Sequence, residues 1–241
     1  MSGPGPRGDS LSVATVIPAF DAEPFLAEAI ESVLGQTSPA AEVLIVDDGS
    51  HDRTAGIATQ YEDRGVRLFR QQNRGAGAAR NRGVALTSSP VLAFLDADDL
   101  WPRDRLERLL AVLSADHALD GVIGDVECFP SPDMAEADRA RLAVPAGTQP
   151  GWLPGALLLR RSAWERVAPF DESLANGGEF IDWVSRARAA GVTLRRLEAI
   201  VLRRRVHPAS MTVRAREALG RSYLEVARAV LARTRARRDE A

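Results

Sequence analysis

The chain has 241 residues, with 31 basic and 33 acidic side chains and a formal net charge of −2, so bulk charge gives no support to nucleic-acid binding. That length can hold one large α/β domain with a real core. Every basic side chain is arginine, a usage expected of a high-GC bacterial genome, and Cys128 is the single cysteine; a phosphate-loop lysine, a Schiff-base lysine, an internal disulfide and a thiolate metal cluster are all excluded.

Met1 to Ser10 is polar and rich in Gly and Pro, and is expected to be a disordered leader. Val13 to Ile17 is a short apolar run ended by Pro18, a first strand. Phe25, Leu26, Ala29, Ile30, Val33 and Leu34 then recur at helical spacing, with Glu23, Glu28 and Glu31 off that face. Val43–Val46 is a second strand, followed by a helix from about Asp52. Val66–Phe69 is a third, followed by a Gly/Ala-rich helix over residues 75–86, and Val91–Leu95 is a fourth. Strands alternating with helices at this spacing predict a mostly parallel sheet covered on both faces.

The pattern changes after about residue 120. Val122–Phe129 reads as a strand, and Pro130–Pro150 as a mobile loop. The run Ala156–Leu159 leads into a helix start at Arg160-Arg161-Ser162, and another helix covers about 178–190. Two strands, 192–196 and 200–206, precede a last helix over 213–238. Leu219, Tyr223, Val226 and Val230 form its apolar stripe, ahead of Arg233, Arg235, Arg237 and Arg238. That stripe is expected to pack on its own domain, with a homodimer seam and a peripheral contact with an anionic membrane as alternatives. No apolar run approaches bilayer-spanning length, so the expected location is the cytoplasm.

In a parallel sheet, ligands collect outside the carboxyl ends of the strands. Three polar clusters fall there: Pro18-Ala19-Phe20-Asp21, Asp47-Asp48-Gly49-Ser50 and Asp96-Ala97-Asp98-Asp99. Asp favours strand-to-helix turns and helix caps, which explains one such cluster better than three together. Carboxylates gathered at one sheet edge predict a cation or a donor-rich ligand. All-oxygen ligation favours Mg²⁺ or Mn²⁺, ions that borrow oxygens from a substrate diphosphate.

The runs VIPAFDAEPFLAEAIESVLGQT, VLIVDDGSHDRT, NRGAGAARNRGVA, VLAFLDADDLWPRDRLE and LPGALLLRRSAWERVAPFDESL, in this order, resemble the family 2 glycosyltransferases of GT-A fold. The resemblance covers about residues 13 to 212. It implies a Rossmann-like sheet in a single domain over 11–212, with a nucleotide-sugar-binding half (11–105) fused to an acceptor-binding half (106–212). It also implies transfer of a sugar from a nucleotide diphosphate, with a UDP-sugar favoured, to an acceptor that the sequence does not name. By position, Pro18, Ala19 and Phe20 would line the nucleoside pocket and Asp48 would bind the base. Asp96 would contact the ribose or the metal, and Asp98 would be the principal metal ligand. Asp99 would stand behind Asp98 or face the donor sugar. Arg80 would reach the diphosphate or donor sugar, or be a surface helix residue. In Arg205-Val206-His207, His207 would approach the metal or diphosphate.

The chain departs from the family at the base. The family carries Glu-Asp at the start of an acceptor-side helix, and the expected base position falls here on Phe180, within Gly178-Glu179-Phe180-Ile181-Asp182-Trp183. Glu179 and Asp182 remain. Three residues apart on a helix they are neighbours, and either could take the acceptor proton. Two other classes compete. A sugar nucleotidyltransferase would carry a Gly-rich loop with a basic residue where Pro18-Ala19-Phe20 stands. A degenerate, non-catalytic nucleotide-sugar binder is suggested by Phe180 and opposed by the intact Asp96-Ala97-Asp98. A dinucleotide oxidoreductase is disfavoured, because Gly75-Ala76-Gly77-Ala78-Ala79-Arg80 lacks the third glycine.

Overall fold

The computed structural model describes residues 11–142, 144–174 and 177–210. The expected leader and the Arg-rich helix from residue 213, with its homodimer and membrane readings, lie outside the described residues. The first half alternates as its patterning predicts. β1 (Val13–Ala19), β2 (Glu42–Asp47), β3 (Val66–Arg70) and β4 (Val91–Phe94) pair in parallel in the order β3-β2-β1-β4. All of β1 and β4 is buried, which requires cover on both faces and explains their unbroken apolar runs. α1 (Leu26–Leu34) buries Leu26, Ala29, Ile30 and Val33, the stripe expected of an amphipathic helix.

α2 (Thr54–Thr59) starts where Asp52 accepts the Thr54 N–H at 2.9 Å. α3 (Ala76–Ala85) has almost no apolar stripe, and it lies on the sheet by close backbone approach instead. A Cβ on Gly83 would collide with both methyl carbons of Val16 in β1. α4 (Arg105–Ala115) buries Leu106, Leu109 and Leu113.

The sheet continues through β7 (Leu157–Arg160) and β5 (Gly121–Pro130), each antiparallel to its neighbour, to β6 (Thr148–Pro150) at the edge. β8 (Leu194–Val206) pairs β5 in parallel. α6 (Arg161–Val167) and α7 (Gly178–Ala189) pack beside this half through a ring cluster of Phe94, Trp164, Phe170, Phe180 and Trp183.

Two expectations are corrected. Residues 130–150 are not simply a loop: they include the end of β5, α5 (Glu136–Leu142) and β6, and Met134 is buried. The segment is too short and polar to show a period, so tertiary pairing decides its structure. The two strands expected at 192–196 and 200–206 are one strand. β8 carries extra residues between the partners of Ile123 and Asp125, and the bulge interrupts its alternation without ending it.

Candidate active site

The carboxyl ends of β1, β2 and β4 open into a cleft of about 1290 Å³, which extends across the second half of the sheet. Pro18 and Ala19 lie in its wall, and Phe20 is exposed beside the His51 ring, 6.1 Å away. The two acids that end β2 separate. Asp47 turns inward, accepting the Ser50 N–H at 2.9 Å and pairing with Arg70 at 2.7 Å. Asp48 lines the cleft and is 3% exposed. It accepts hydrogen bonds from Gln71 Nε2 (2.8 Å), Arg74 N (2.9 Å) and Gly75 N (2.7 Å). Its carboxylate therefore anchors the β3–α3 connection at the wall of the cleft.

The turn after β4 closes with Asp99 N bonding Asp96 O at 3.0 Å. β8 returns beside it more than a hundred residues later and completes the cluster. Leu100 and Arg203 exchange backbone hydrogen bonds at 2.8 and 2.9 Å. Arg205 N donates to Asp99 Oδ1 at 2.8 Å, Arg205 Nε to the Asp98 carbonyl at 2.9 Å, and Arg205 Nη2 to Glu28 Oε2 at 2.6 Å. The guanidinium packs between the Phe25 and Phe129 rings. His207 Nε2 then stands 3.1 Å from Asp98 Oδ2, its ring against Phe25. Asp99 is buried; burial first, then the Asp98 and Asp96 charges, pushes its carboxyl well above the ordinary carboxylate range.

Asp98 and His207, with Asp96 and Asp99, are the residues that could hold a hard divalent cation. Asp98 Oδ2 and His207 Nε2 stand 3.1 Å apart, with Asp96 and Asp99 close by in sequence and in the same cleft. Among the described residues no three such ligands converge, so Mn²⁺ or Mg²⁺ held here would fill its shell with diphosphate oxygens and water. Asp96 is engaged on its other side: Arg80 Nη2 meets Asp96 Oδ1 at 2.5 Å.

Arg80 is buried, not a surface residue, and its second arm, Nη1, donates to Glu179 Oε1 at 3.0 Å. Burial opposes its charge, but Asp96 and Glu179 outweigh that and hold its pKa above the ordinary value. Glu179 lines the cleft, and its Oε2 is buried without a hydrogen-bond partner. Gly77 of α3 lets the acid approach: a Cβ there would sit 3.3 Å from Glu179 Cγ. Asp182 does not share this face of the cleft. It is fully buried and pairs with Arg186 at 2.7 Å. Arg186 in turn donates to the carbonyls of Val167 and Pro169, which ties Asp182 to the α6–α7 connection. Phe180 stands in the cleft wall, 6.4 Å from the parallel Trp183 ring.

The model of the family described as Glycosyl transferase family 2 matches residues 14–141, more than half of the chain. The chain belongs to glycosyl transferase family 2. It is 32% identical over 176 residues, 67% of its length, to an uncharacterized glycosyltransferase of Nostoc sp.. It is 31% identical over 201 residues, 76% of its length, to glycosyltransferase AglE of Haloferax volcanii. S. aureus TarS, in a crystal structure with UDP, superposes on 91% of the chain with a TM-score of 0.69 at 18% identity, which establishes a shared GT-A fold. This family 2 chain spans 54% of the Nostoc relative, 63% of the Haloferax relative and 64% of that TarS chain.

Sequence reasoning brought most of the cleft of this family 2 chain together but missed some of its wall. Glu28, which anchors Arg205, reads in sequence as a solvated helix charge. Asp133, Met134 and Trp152 come from the segment without a periodic signal. No helix among the described residues is long and apolar enough to cross a membrane.

Proposed function

We propose that this chain is a metal-dependent, inverting glycosyltransferase that moves a sugar from a UDP-sugar to an acceptor hydroxyl. One observation carries the reading. A single cleft gathers a carboxylate for the nucleoside (Asp48), an acid–imidazole pair for a hard cation (Asp98 with His207) and a carboxylate with an unpartnered oxygen (Glu179). The UDP donor is supported by solved structures of S. aureus TarS, which bear UDP and UDP-GlcNAc. Residues 11–105 bind the donor and 106–212 the acceptor. A cytoplasmic site of action is part of the reading.

Pro18, Ala19, Phe20 and Asp48 hold the nucleoside, and Asp96 turns toward the ribose. Asp98 and His207 hold Mn²⁺ or Mg²⁺, which when bound neutralises the charge developing on the leaving diphosphate. Asp99, pinned by Arg205, supports Asp98 from behind. Arg80 grips Glu179 by Oε1, which keeps the acid oriented. Glu179 takes the acceptor hydroxyl proton while that oxygen attacks the anomeric carbon opposite the diphosphate. The new C–O bond forms, the bond to the UDP oxygen breaks, and the configuration inverts. Asp182 is withdrawn as the base because it lies outside the cleft.

Calorimetry of UDP, GDP and dTDP with and without Mn²⁺ tests the donor half. UDP is expected to bind in a cation-dependent way that Asp98→Asn abolishes. Glu179→Gln is expected to keep UDP binding and to slow transfer or donor hydrolysis by roughly 100- to 10,000-fold, whereas Asp182→Asn stays within a few-fold of wild type. Cation-independent binding of equal strength in wild type and Asp98→Asn, or full turnover by Glu179→Gln, overturns the reading.

A further inference from the structure

Among the described residues, the two large apolar side chains left exposed are Phe20, at 44%, and Trp152, at 54%. Both line the cleft. Phe20 follows β1 on the nucleoside side. Trp152 follows β6, which pairs with Asp125–Glu127 of β5. Two aromatic surfaces thus stand in one cleft, fed by opposite halves of the fold.

The backbone under Trp152 is firmly held although the indole is open. Gly151 N bonds Gly124 O at 3.0 Å, Trp152 N bonds Pro150 O at 3.1 Å, and Leu153 N bonds Gly151 O at 2.7 Å. Just beyond, a buried cation secures the chain. Arg105 is fully buried on the Trp101 ring, 3.7 Å from its centroid, and burial pushes its pKa down to about 9. Its Nη2 donates to the carbonyls of Gly155 (3.1 Å) and Leu157 (3.0 Å), and Trp101 Nε1 also donates to Gly155 O (3.2 Å). A guanidinium is expensive to bury, and this one is used to fix the segment that leaves Trp152. The result is an aromatic face presented to the cleft on a hydrogen-bonded backbone.

The cleft wall from the same half also supplies Asp133, an exposed carboxylate, and the apolar Met134 and Ile181. An aromatic face accompanied by a hydroxyl-accepting acid suits a pyranose ring, which has C–H groups on one face and hydroxyls round its rim. Asp133 accepts from Ser131 Oγ at 2.5 Å through Oδ1, and its other oxygen is offered to a ring hydroxyl.

Resting on the glycosyl-transfer reading above, we propose that Trp152 is the stacking platform of the acceptor subsite and that the acceptor is a saccharide whose pyranose ring lies on the indole. In this reading Phe20, after β1, serves the donor nucleoside, and Trp152, after β6, serves the acceptor.

The protein carries its own reporter. Of its four tryptophans, Trp101, Trp164 and Trp183 are buried, so Trp152 alone is open to a ligand. The probes are methyl pyranosides of glucose, galactose and N-acetylglucosamine and their β-linked disaccharides, titrated into the full chain with UDP and Mn²⁺ present. Sorbitol and hexanol serve as open-chain and apolar controls. At least one pyranoside is expected to change the tryptophan emission saturably, with no response to sorbitol. Trp152→Ala is expected to abolish the response and leave UDP calorimetry unchanged. Trp152→Phe should retain binding in competition with the wild-type ligand, weakened by about tenfold or less, the scale of one aromatic contact.

Silence from every pyranoside, a response that persists in Trp152→Ala, or a response to hexanol alone overturns the proposal. UDP binding and donor hydrolysis are measured on the same samples. If they stand while the pyranosides are silent, the acceptor platform fails and the transfer reading survives; if UDP does not bind, the transfer reading itself fails.

Discussion

Replacing Asp48 by alanine removes the acceptor of three hydrogen bonds, two of them from the backbone N–H groups of Arg74 and Gly75. A hydrogen bond to a charged group contributes about 1.5–3 kcal/mol, which would sum to more than 4 kcal/mol. Gln71 is half-buried and Arg74 exposed, so water recovers part of the loss. We expect a net destabilisation of about 2–3 kcal/mol. For a chain of this size that lowers Tm by roughly 4–12 °C. Asp48→Asn should cost about half as much. Its amide keeps one acceptor oxygen but turns an NH₂ group toward either Gly75 N–H or the Gln71 and Arg74 donors. UDP affinity should fall in both variants, through the displaced 71–75 connection as well as any lost contact with the base. Thermal melts read by circular dichroism, beside UDP calorimetry, check this. If Asp48→Ala melts within about 1 °C of wild type, a loss far below the stated range, the anchoring argument is wrong and Asp48 serves the ligand alone.

Gly83→Ala is expected to destabilise the protein although alanine is the better helix former by about 1 kcal/mol. The overlap with Val16 costs roughly 1–3 kcal/mol, and a raised urea midpoint would refute the close packing of α3 on β1. Asp99 gives a pH dependence. Its folded pKa is raised by burial and then by the Asp98 and Asp96 charges, so the folded state binds the extra proton, and the associated stability is present in acid and lost as pH rises through the folded value. Asp99→Asn keeps an oxygen for Arg205 N–H. In cation-free protein it should therefore melt higher than wild type at about pH 8 and close to it near about pH 4; identical melting across that range would refute the assignment.

The first half of the chain was legible in the sequence for a local reason. β1, β2 and β4 are buried along nearly their whole length, so they read as short unbroken apolar runs, and the polar clusters that follow them fall at the sheet edge by construction. The helical period of α1 and the acid-bearing start of α7 were visible in the same way. Where side chains go after such a start is not local. Glu179 and Asp182 are equivalent as sequence, and only the Arg186 contacts with the α6–α7 connection turn one inward while Arg80 draws the other to the cleft. Likewise the sequence marks Asp48 as a ligand for a base but gives no sign that the β3–α3 connection rests on it. The joining of Arg205 and His207 to Asp98 depends on β8 pairing with β5, a contact chosen by the sheet as a whole. Residues 130–152 have too little apolar surface to declare a period. Tertiary pairing alone makes β6 an edge strand and puts Trp152 in the wall of the cleft.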